Sequence, residues 1–233
     1  MATDPTAGNS TAGTTRTGRA RRHALQPSWS NADAHRARFE QLRHHFTGRS
    51  VLDLGCASGW RRPDWFHGLI AGEASELVGI DVDERAVREL ERRGYRAIVA
   101  DATDFDLGRT FDVVHAGELI EHLDDAHGFL ASVRRHLRPD SCLVLTTPNA
   151  FCVSNFVYRF GAKASLHREH VAWYCEDTLT HLLERNGMRV GEIGFLRHET
   201  PRGWRAVASR VVRSALPPRL AWNTLFAVAH RAD

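Results

Sequence analysis

No apolar run in this chain approaches the roughly 20 residues that a bilayer-spanning helix needs. The N-terminus lacks the apolar core of a secretory signal. Cysteine is scarce: Cys56, Cys142, Cys152 and Cys175 are the four in 233 residues, and none forms a C-x-x-C pair. That excludes a disulfide framework and the cysteine cluster of an iron–sulfur radical enzyme. The four read as reduced, mostly buried small hydrophobes of a cytoplasmic protein. No internal repeat is visible. Positive charge is also missing where a nucleic-acid enzyme would need it. The net charge is +3, yet residues 1–22 carry +3 and residues 197–219 carry +5, which leaves residues 23–196 at −5. An acidic body with basic ends argues against a nucleic-acid partner.

What the chain does have is organised around residues 51–60, Val-Leu-Asp-Leu-Gly-Cys-Ala-Ser-Gly-Trp. An apolar run, broken only by Asp53, passes into a turn of small residues. This is the pattern of a buried parallel strand ending in a loop that a ligand can approach. In open α/β sheets the ligand sits beyond the carboxyl ends of the strands. A dinucleotide fingerprint would need glycines at G-x-G-x-x-G. Those places hold Gly55, Ala57 and Trp60. A tryptophan cannot give the close helix–strand packing of the third glycine, so a nicotinamide-dependent oxidoreductase is disfavoured. Asp53 lies just before the turn, where it would accept hydrogen bonds from a cationic amino group.

Strands and helices alternate from there. Residues 33–46 read as a helix with Asp33 as its cap, and 60–72 as a helix with Pro63 in its first turn. Leu77–Ile80 is a second buried strand, followed at once by Asp81. A helix at 84–93 closes at Gly94, with Asp83 the better cap, which leaves Asp81 for a ligand. Further strands are expected at 96–99, 111–116, 142–147, 189–196 and 224–230. A helix carrying Phe129, Leu130, Val133 and Leu137 ends at Pro139, and another spans 176–187. Residues 1–28 are poor in large apolar residues and read as a disordered basic tail. Trp204, Val207, Ala208, Val211, Val212 and Ala215 recur at helical spacing across 202–216, with arginines away from them. Such a basic amphipathic helix packs on its own domain or makes a peripheral membrane contact.

At Val51–Gly59 the sequence resembles the class I S-adenosylmethionine-dependent methyltransferases, whose first motif reads Val-Leu-Asp-Leu-Gly-Cys-Gly-x-Gly. Ala57 stands in place of the usual middle glycine; one added methyl is expected to be a tolerated variation, with crowding of the methionine end of the cofactor as the alternative. A second likeness is Glu118-Leu-Ile-Glu121-His122, a Glu-x-x-Glu-His run after the fourth strand, as in quinone-biosynthetic and natural-product enzymes of that family. The resemblance covers residues 34–230 and assigns 29–233 to one domain. It implies an α/β, doubly wound, Rossmann-like sheet of seven strands in the order 3-2-1-4-5-7-6, the last antiparallel. S-adenosylmethionine is the implied cofactor. It would be held by Asp53 and the loop of Gly55, Cys56, Ala57 and Gly59, by Asp81 and Val82 at the ribose, and by Asp101 and Ala102 at the adenine. Ala116 and Gly117 would pass beneath the sulfonium.

An insertion at 150–174 would cap the acceptor. His122 and His170 are the candidate general bases for O-methylation of a small molecule, such as a sugar or phenolic hydroxyl of a natural product or lipid-linked precursor. Histidine suits that task because it titrates near neutrality. His167 and His170 alone are too few for a metal site, and none is assigned. N- or C-methylation, and cofactor binding without catalysis, remain open, as does the oligomeric state.

Overall fold

The computed structural model describes residues 32–153, 155, 169–196 and 214–232. The expected tail at 1–28, His167 and the helical pattern at 202–213 lie outside the described residues, as does much of the 150–174 insertion. The strands are β1 (Ser50–Leu54), β2 (Glu76–Asp81), β3 (Ala97–Val99), β4 (Phe111–Gly117), β5 (Leu137–Pro148), β6 (Met188–Leu196) and β7 (Thr224–Arg231). They form one sheet in the order β3-β2-β1-β4-β5-β7-β6. The first five pair in parallel, and β7 runs antiparallel to both β5 and β6. The order expected from the resemblance is the order observed.

Strand alternation divides the core between two faces. Leu52, Leu54, Val114, Ala116, Leu143 and Leu145 face one layer. There they meet Phe129, Leu130 and Val133 of α4 (Ala126–Arg135) and Leu179 and Leu183 of α5 (Glu176–Arg185). Val51, Val113 and Val144 face the other layer. They pack under Phe39 and Leu42 of α1 (Ala32–Leu42), under Phe46, and under Ile70 of α2 (Phe66–Ala71). Burying a large aliphatic or aromatic side chain is worth about 1.5–3 kcal/mol, so these two layers carry the fold. Asp53 and His115 fall on the α1/α2 side, where apolar residues would be the rule.

Two expected elements differ. The helix read over 60–72 is confined to Phe66–Ala71. Residues ahead of it are held in turns by tertiary bonds: the Arg62 guanidinium donates to buried Asp64 at 3.1 and 3.2 Å, and Trp65 Nε1 donates to the Cys56 carbonyl at 2.7 Å. The helix expected to include Leu137 and stop at Pro139 ends two residues earlier, at Arg135. There the His136 ring donates from Nδ1 to the Ser132 carbonyl and accepts at Nε2 from the Leu107 N–H. Leu137 already belongs to β5. Pro139 is tolerated in that strand because the β4–β5 register jumps between the Phe111↔Leu137 and Val113↔Cys142 pairs, so no ladder bond needs its nitrogen.

α3 (Glu84–Arg92) forms as expected, with Asp83 accepting from the Ala86 N–H at 3.0 Å and Gly94 taking φ +87° beyond its end. Among the described residues no helix is long and apolar enough to cross a membrane.

Candidate active site

The loop after β1 turns on Gly55 and Gly59, whose φ of +76° and +73° a side chain would oppose. The Gly55 and Cys56 N–H groups both donate to the Ile80 carbonyl, so the loop is tied to β2. Asp81, at the end of β2, completes the tie. One carboxylate oxygen accepts from the Ala57 N–H and the other from the Asp83 N–H, both at 2.9 Å. Asp81 therefore also fixes the loop's shape, which the sequence did not reveal. Ala57 is buried with Cys56, Trp65, Val87 and Leu90. The alanine is thus accommodated in the packing between the loop and α3.

Asp101 is exposed at the end of β3, with one oxygen accepting from both the N–H and the hydroxyl of Thr103 at 2.8 Å. Ala102 beside it is buried. Val82, the residue after β2, and Val99, the register partner of Asp81 on β3, are exposed. Ala116 is wholly buried in the α4/α5 layer and does not line the cleft described below.

The role read for Asp53 changes in the structure. Its carboxylate is buried, and each oxygen is taken by an imidazole: His115 Nδ1 at 2.6 Å and His67 Nδ1 at 2.7 Å. A carboxylate only accepts, so each Nδ1 carries a proton and donates it to Asp53. Burial works against ionisation of Asp53, but the hydrogen bonds and charges of His115 and His67 prevail and hold its pKa down at about 2. Phe66 stacks on His115 with ring centroids 4.8 Å apart, and Phe46 meets it edge-on. Among the described residues neither Nε2 has a hydrogen-bond partner.

The cleft above this group has a cavity volume of about 90 Å³. Asp53, Gly55, Cys56 and Gly117 line it; His35 and Arg38 of α1, His67, His115 and Glu118 line it as well and were not foreseen. Arg38 pairs with Glu118 at 3.4 Å, and Glu118 takes a φ of +52°, strained for a side-chain-bearing residue. The missed signal was strand parity. Asp53 and His115 are polar residues at matching depths of two buried strands, and each needed a partner.

The Glu-x-x-Glu-His run continues into a 3₁₀ turn, Ile120–His122. Glu121 is 1% exposed, with Oε2 accepting from the Thr147 hydroxyl at 2.9 Å. Burial, and next the charge of Glu118, raise its pKa well above the carboxylate range. Its backbone carbonyl accepts from the Val171 and Ala172 N–H groups at 2.8 and 3.2 Å, which docks the segment carrying His170. The rings of His122 and His170 then lie edge to face, with centroids 4.6 Å apart. The two histidines proposed as bases from sequence are brought together. Asn149 anchors both ends of the expected cap insertion: its N–H donates to Asn223, its side-chain amide donates to the carbonyls of Arg219 and Trp222, and Ala150 N–H donates to Tyr174.

A methyltransferase domain family matches residues 22–193. The chain is 31% identical to a "Probable S-adenosylmethionine-dependent methyltransferase" of Mycolicibacterium smegmatis over 67% of its own length and 58% of that protein's. It is 27% identical to a ubiquinone biosynthesis O-methyltransferase of Leptothrix cholodnii, over 47% of this chain and 48% of that one. The chain thus spans about half the length of the curated relatives it matches. A solved S-adenosylmethionine-dependent methyltransferase from Archaeoglobus fulgidus superposes with a TM-score of 0.60 at 21% identity, covering 84% of this chain and 91% of that one. The fold, the glycine loop and the family match together define a class I S-adenosylmethionine-dependent methyltransferase, and the chain belongs to that family.

Proposed function

We propose that this chain transfers the sulfonium methyl of S-adenosylmethionine to a hydroxyl group of a small molecule, within the cytoplasm and in natural-product or quinone-type biosynthesis. The observation that carries the reading is the meeting of His122 and His170 beside the β4 end, where Gly117 closes the strand. The likeness to the ubiquinone biosynthesis O-methyltransferase supports oxygen as the acceptor atom. Free thiols at Cys56, Cys142, Cys152 and Cys175 are consistent with a reducing compartment.

In this reading the acceptor oxygen attacks the methyl carbon in line with sulfur. The new C–O bond forms as the C–S bond breaks, its electron pair passes to sulfur, and neutral S-adenosylhomocysteine leaves. The hydroxyl proton goes to one imidazole and from there to solvent. The sulfonium methyl is already activated, so alignment supplies much of the rate. Asp81 receives the ribose hydroxyls, Asp101 the adenine amino group, and the Gly55–Gly59 loop the methionine portion. Phe151, Val171 and Trp173 are exposed apolar side chains on the 150–174 segment and offer an acceptor an apolar face.

The test is transfer of tritiated methyl from the cofactor to a panel of catechols, phenols and sugars. Turnover is expected on an oxygen acceptor, with kcat lowered about 100-fold in His122→Ala or His170→Ala. Full turnover in both variants would remove the histidine base, and labelling only of nitrogen or carbon acceptors would overturn O-methylation.

A further inference from the structure

Trp60 follows directly on Gly59 of the glycine loop, and two guanidinium groups lie against its ring. Those of Arg61 and Arg93 are 4.6 and 4.4 Å from the ring centroid. Between this tryptophan and α3 runs a groove with a cavity volume of about 620 Å³. Arg61, Arg85, Arg92 and Arg93 line it against Asp83 and Glu89, an excess of two positive charges. Residues 23–196 as a whole carry −5, so the excess runs against the charge of the body around it. The groove shares no lining residue with the cleft above Asp53. We propose that it binds the diphosphate group of an anionic ligand, at a site separate from the methyl-transfer cleft.

The carboxylates in the groove are already committed. Asp83 caps α3 by accepting from the Ala86 N–H at 3.0 Å. Glu89 accepts from Arg92 at 2.8 Å and from Arg93 at 3.2 Å. Arg61 and Arg85 have no carboxylate partner among the described residues. Arg88, on the same helix but outside the groove, pairs with Glu84. Arg61 is braced on the face of an indole, a contact that leaves its N–H donors for a ligand. Arg93 is braced twice, by Trp60 and by Glu89. Side chains held in this way lose less freedom when a ligand arrives, so binding is weakened less by ordering them.

The donors select the anion. Every cation lining the groove is an arginine, whose planar fork meets two oxygens of one phosphate, where a lysine is a point charge. Arg61 stands on the loop after β1 and Arg85 on α3, so the two guanidinium groups without a carboxylate come from different walls. An anion that serves both needs charge on more than one centre, which a diphosphate has. Past Trp60 and Arg93 lies a second groove of about 450 Å³, walled by Arg62, Trp65, Leu69 and Tyr95. It offers room and aromatic surface to whatever carries the phosphates. None of this depends on methyl transfer.

The experiment titrates sodium pyrophosphate calorimetrically into the full chain at low ionic strength. One saturable equivalent is expected, weakened by added salt. Arg61→Ala and Arg85→Ala should each weaken it at least about 10-fold, the loss of a charge-assisted pair. Arg88→Ala removes the same charge from the same helix outside the groove and should leave it unchanged. All three side chains are exposed, so the variants should keep the wild-type melting midpoint. Flotation with phosphatidylcholine vesicles, with and without geranylgeranyl diphosphate, reads the source of the phosphates. Capture by the diphosphate lipid that Arg61→Ala and Arg85→Ala abolish assigns a lipid headgroup. Pyrophosphate binding without such capture assigns a soluble phosphate compound. Absence of a saturable pyrophosphate equivalent, or equal weakening in Arg88→Ala, overturns the site. Displacement of pyrophosphate by S-adenosylhomocysteine would put the anion in the cofactor cleft and overturn it as well.

Discussion

Asp53 and His115 are register partners on adjacent parallel strands, and their side chains meet at 2.6 Å. With His67 on the second oxygen, the carboxylate is clasped by two N–H donors inside the α1/α2 layer. Asp53→Asn would set an amide against those donors with one acceptor where two are required. Breaking a buried charged pair costs about 3–5 kcal/mol, and urea denaturation at pH 7 should show a loss of that order. The folded pKa of about 2 lies below the usual 3.8. Asp53 therefore contributes stability that is complete above about pH 4 and is lost as pH falls towards 2, on the order of 2 kcal/mol. Wild type should lose its denaturation midpoint steeply across that window and Asp53→Asn should not; equal slopes would refute the assignment.

A second acid sensitivity lies nearer neutrality. Burial lowers the pKa of His45 to about 4, helped by the charges of His44, Arg49 and His230. Burial does the same for His35, where Arg38 and Arg62 add to it and Asp64 opposes. For both, the unfolded chain binds a proton near pH 6.5 that the folded chain refuses until about pH 4. Stability should then fall as pH drops from 6.5 to 4. His45→Gln keeps a polar side chain without the titration, and its thermal midpoint should vary less across that range than wild type's.

The strands were legible because each is a short apolar run between turn signals. β1, β2 and β4 show this at Val51–Leu54, Leu77–Ile80 and Phe111–Ala116. Their spatial order came from resemblance, since spacing alone does not order a sheet. What failed was decided by contacts distant in sequence. α2 starts late because Trp65 reaches Cys56, and β5 starts early because His136 closes α4 on Ser132. At the candidate site, Asp81 was read from its place at a strand end, His122 from the run after β4 and His170 from the insertion after β5; the structure brings the two histidine rings together. His67 was invisible, because nothing in Phe66–Ala71 says that its second residue would turn inward to Asp53.

Gly79 tests how tightly the glycine loop is seated. A Cβ there would lie 2.5 Å from Cys56 Sγ, 2.6 Å from Cys56 Cβ and 2.8 Å from His67 Cε1. Those neighbours are held by β2 and by Asp53 and cannot yield far. Gly79→Ala should destabilise the protein by about 1–3 kcal/mol, as overpacking does. It should also weaken S-adenosylhomocysteine binding, because Cys56 is part of the loop. Differential scanning calorimetry with and without the ligand separates the two effects; an unchanged ligand-induced shift would show that the loop moves independently of β2.

Asp81 carries two tasks that a pair of substitutions can separate. Its oxygens accept from the Ala57 and Asp83 N–H groups, so removing the side chain frees the loop and the approach to α3 as well as any ribose contact. Asp81→Ala should cost about 1–2 kcal/mol of stability, one or two hydrogen bonds to a charged acceptor at a half-exposed site. Its S-adenosylhomocysteine affinity should fall at least about 100-fold, because a ribose diol would lose its acceptor and the loop its shape. Asp81→Asn retains one carbonyl acceptor for the loop but none of the charge. If the ribose depends on the carboxylate, Asn should recover most of the stability and little of the affinity, read by calorimetric titration beside thermal melts. Equal recovery of both would mean that Asp81 acts on the cofactor only through the loop.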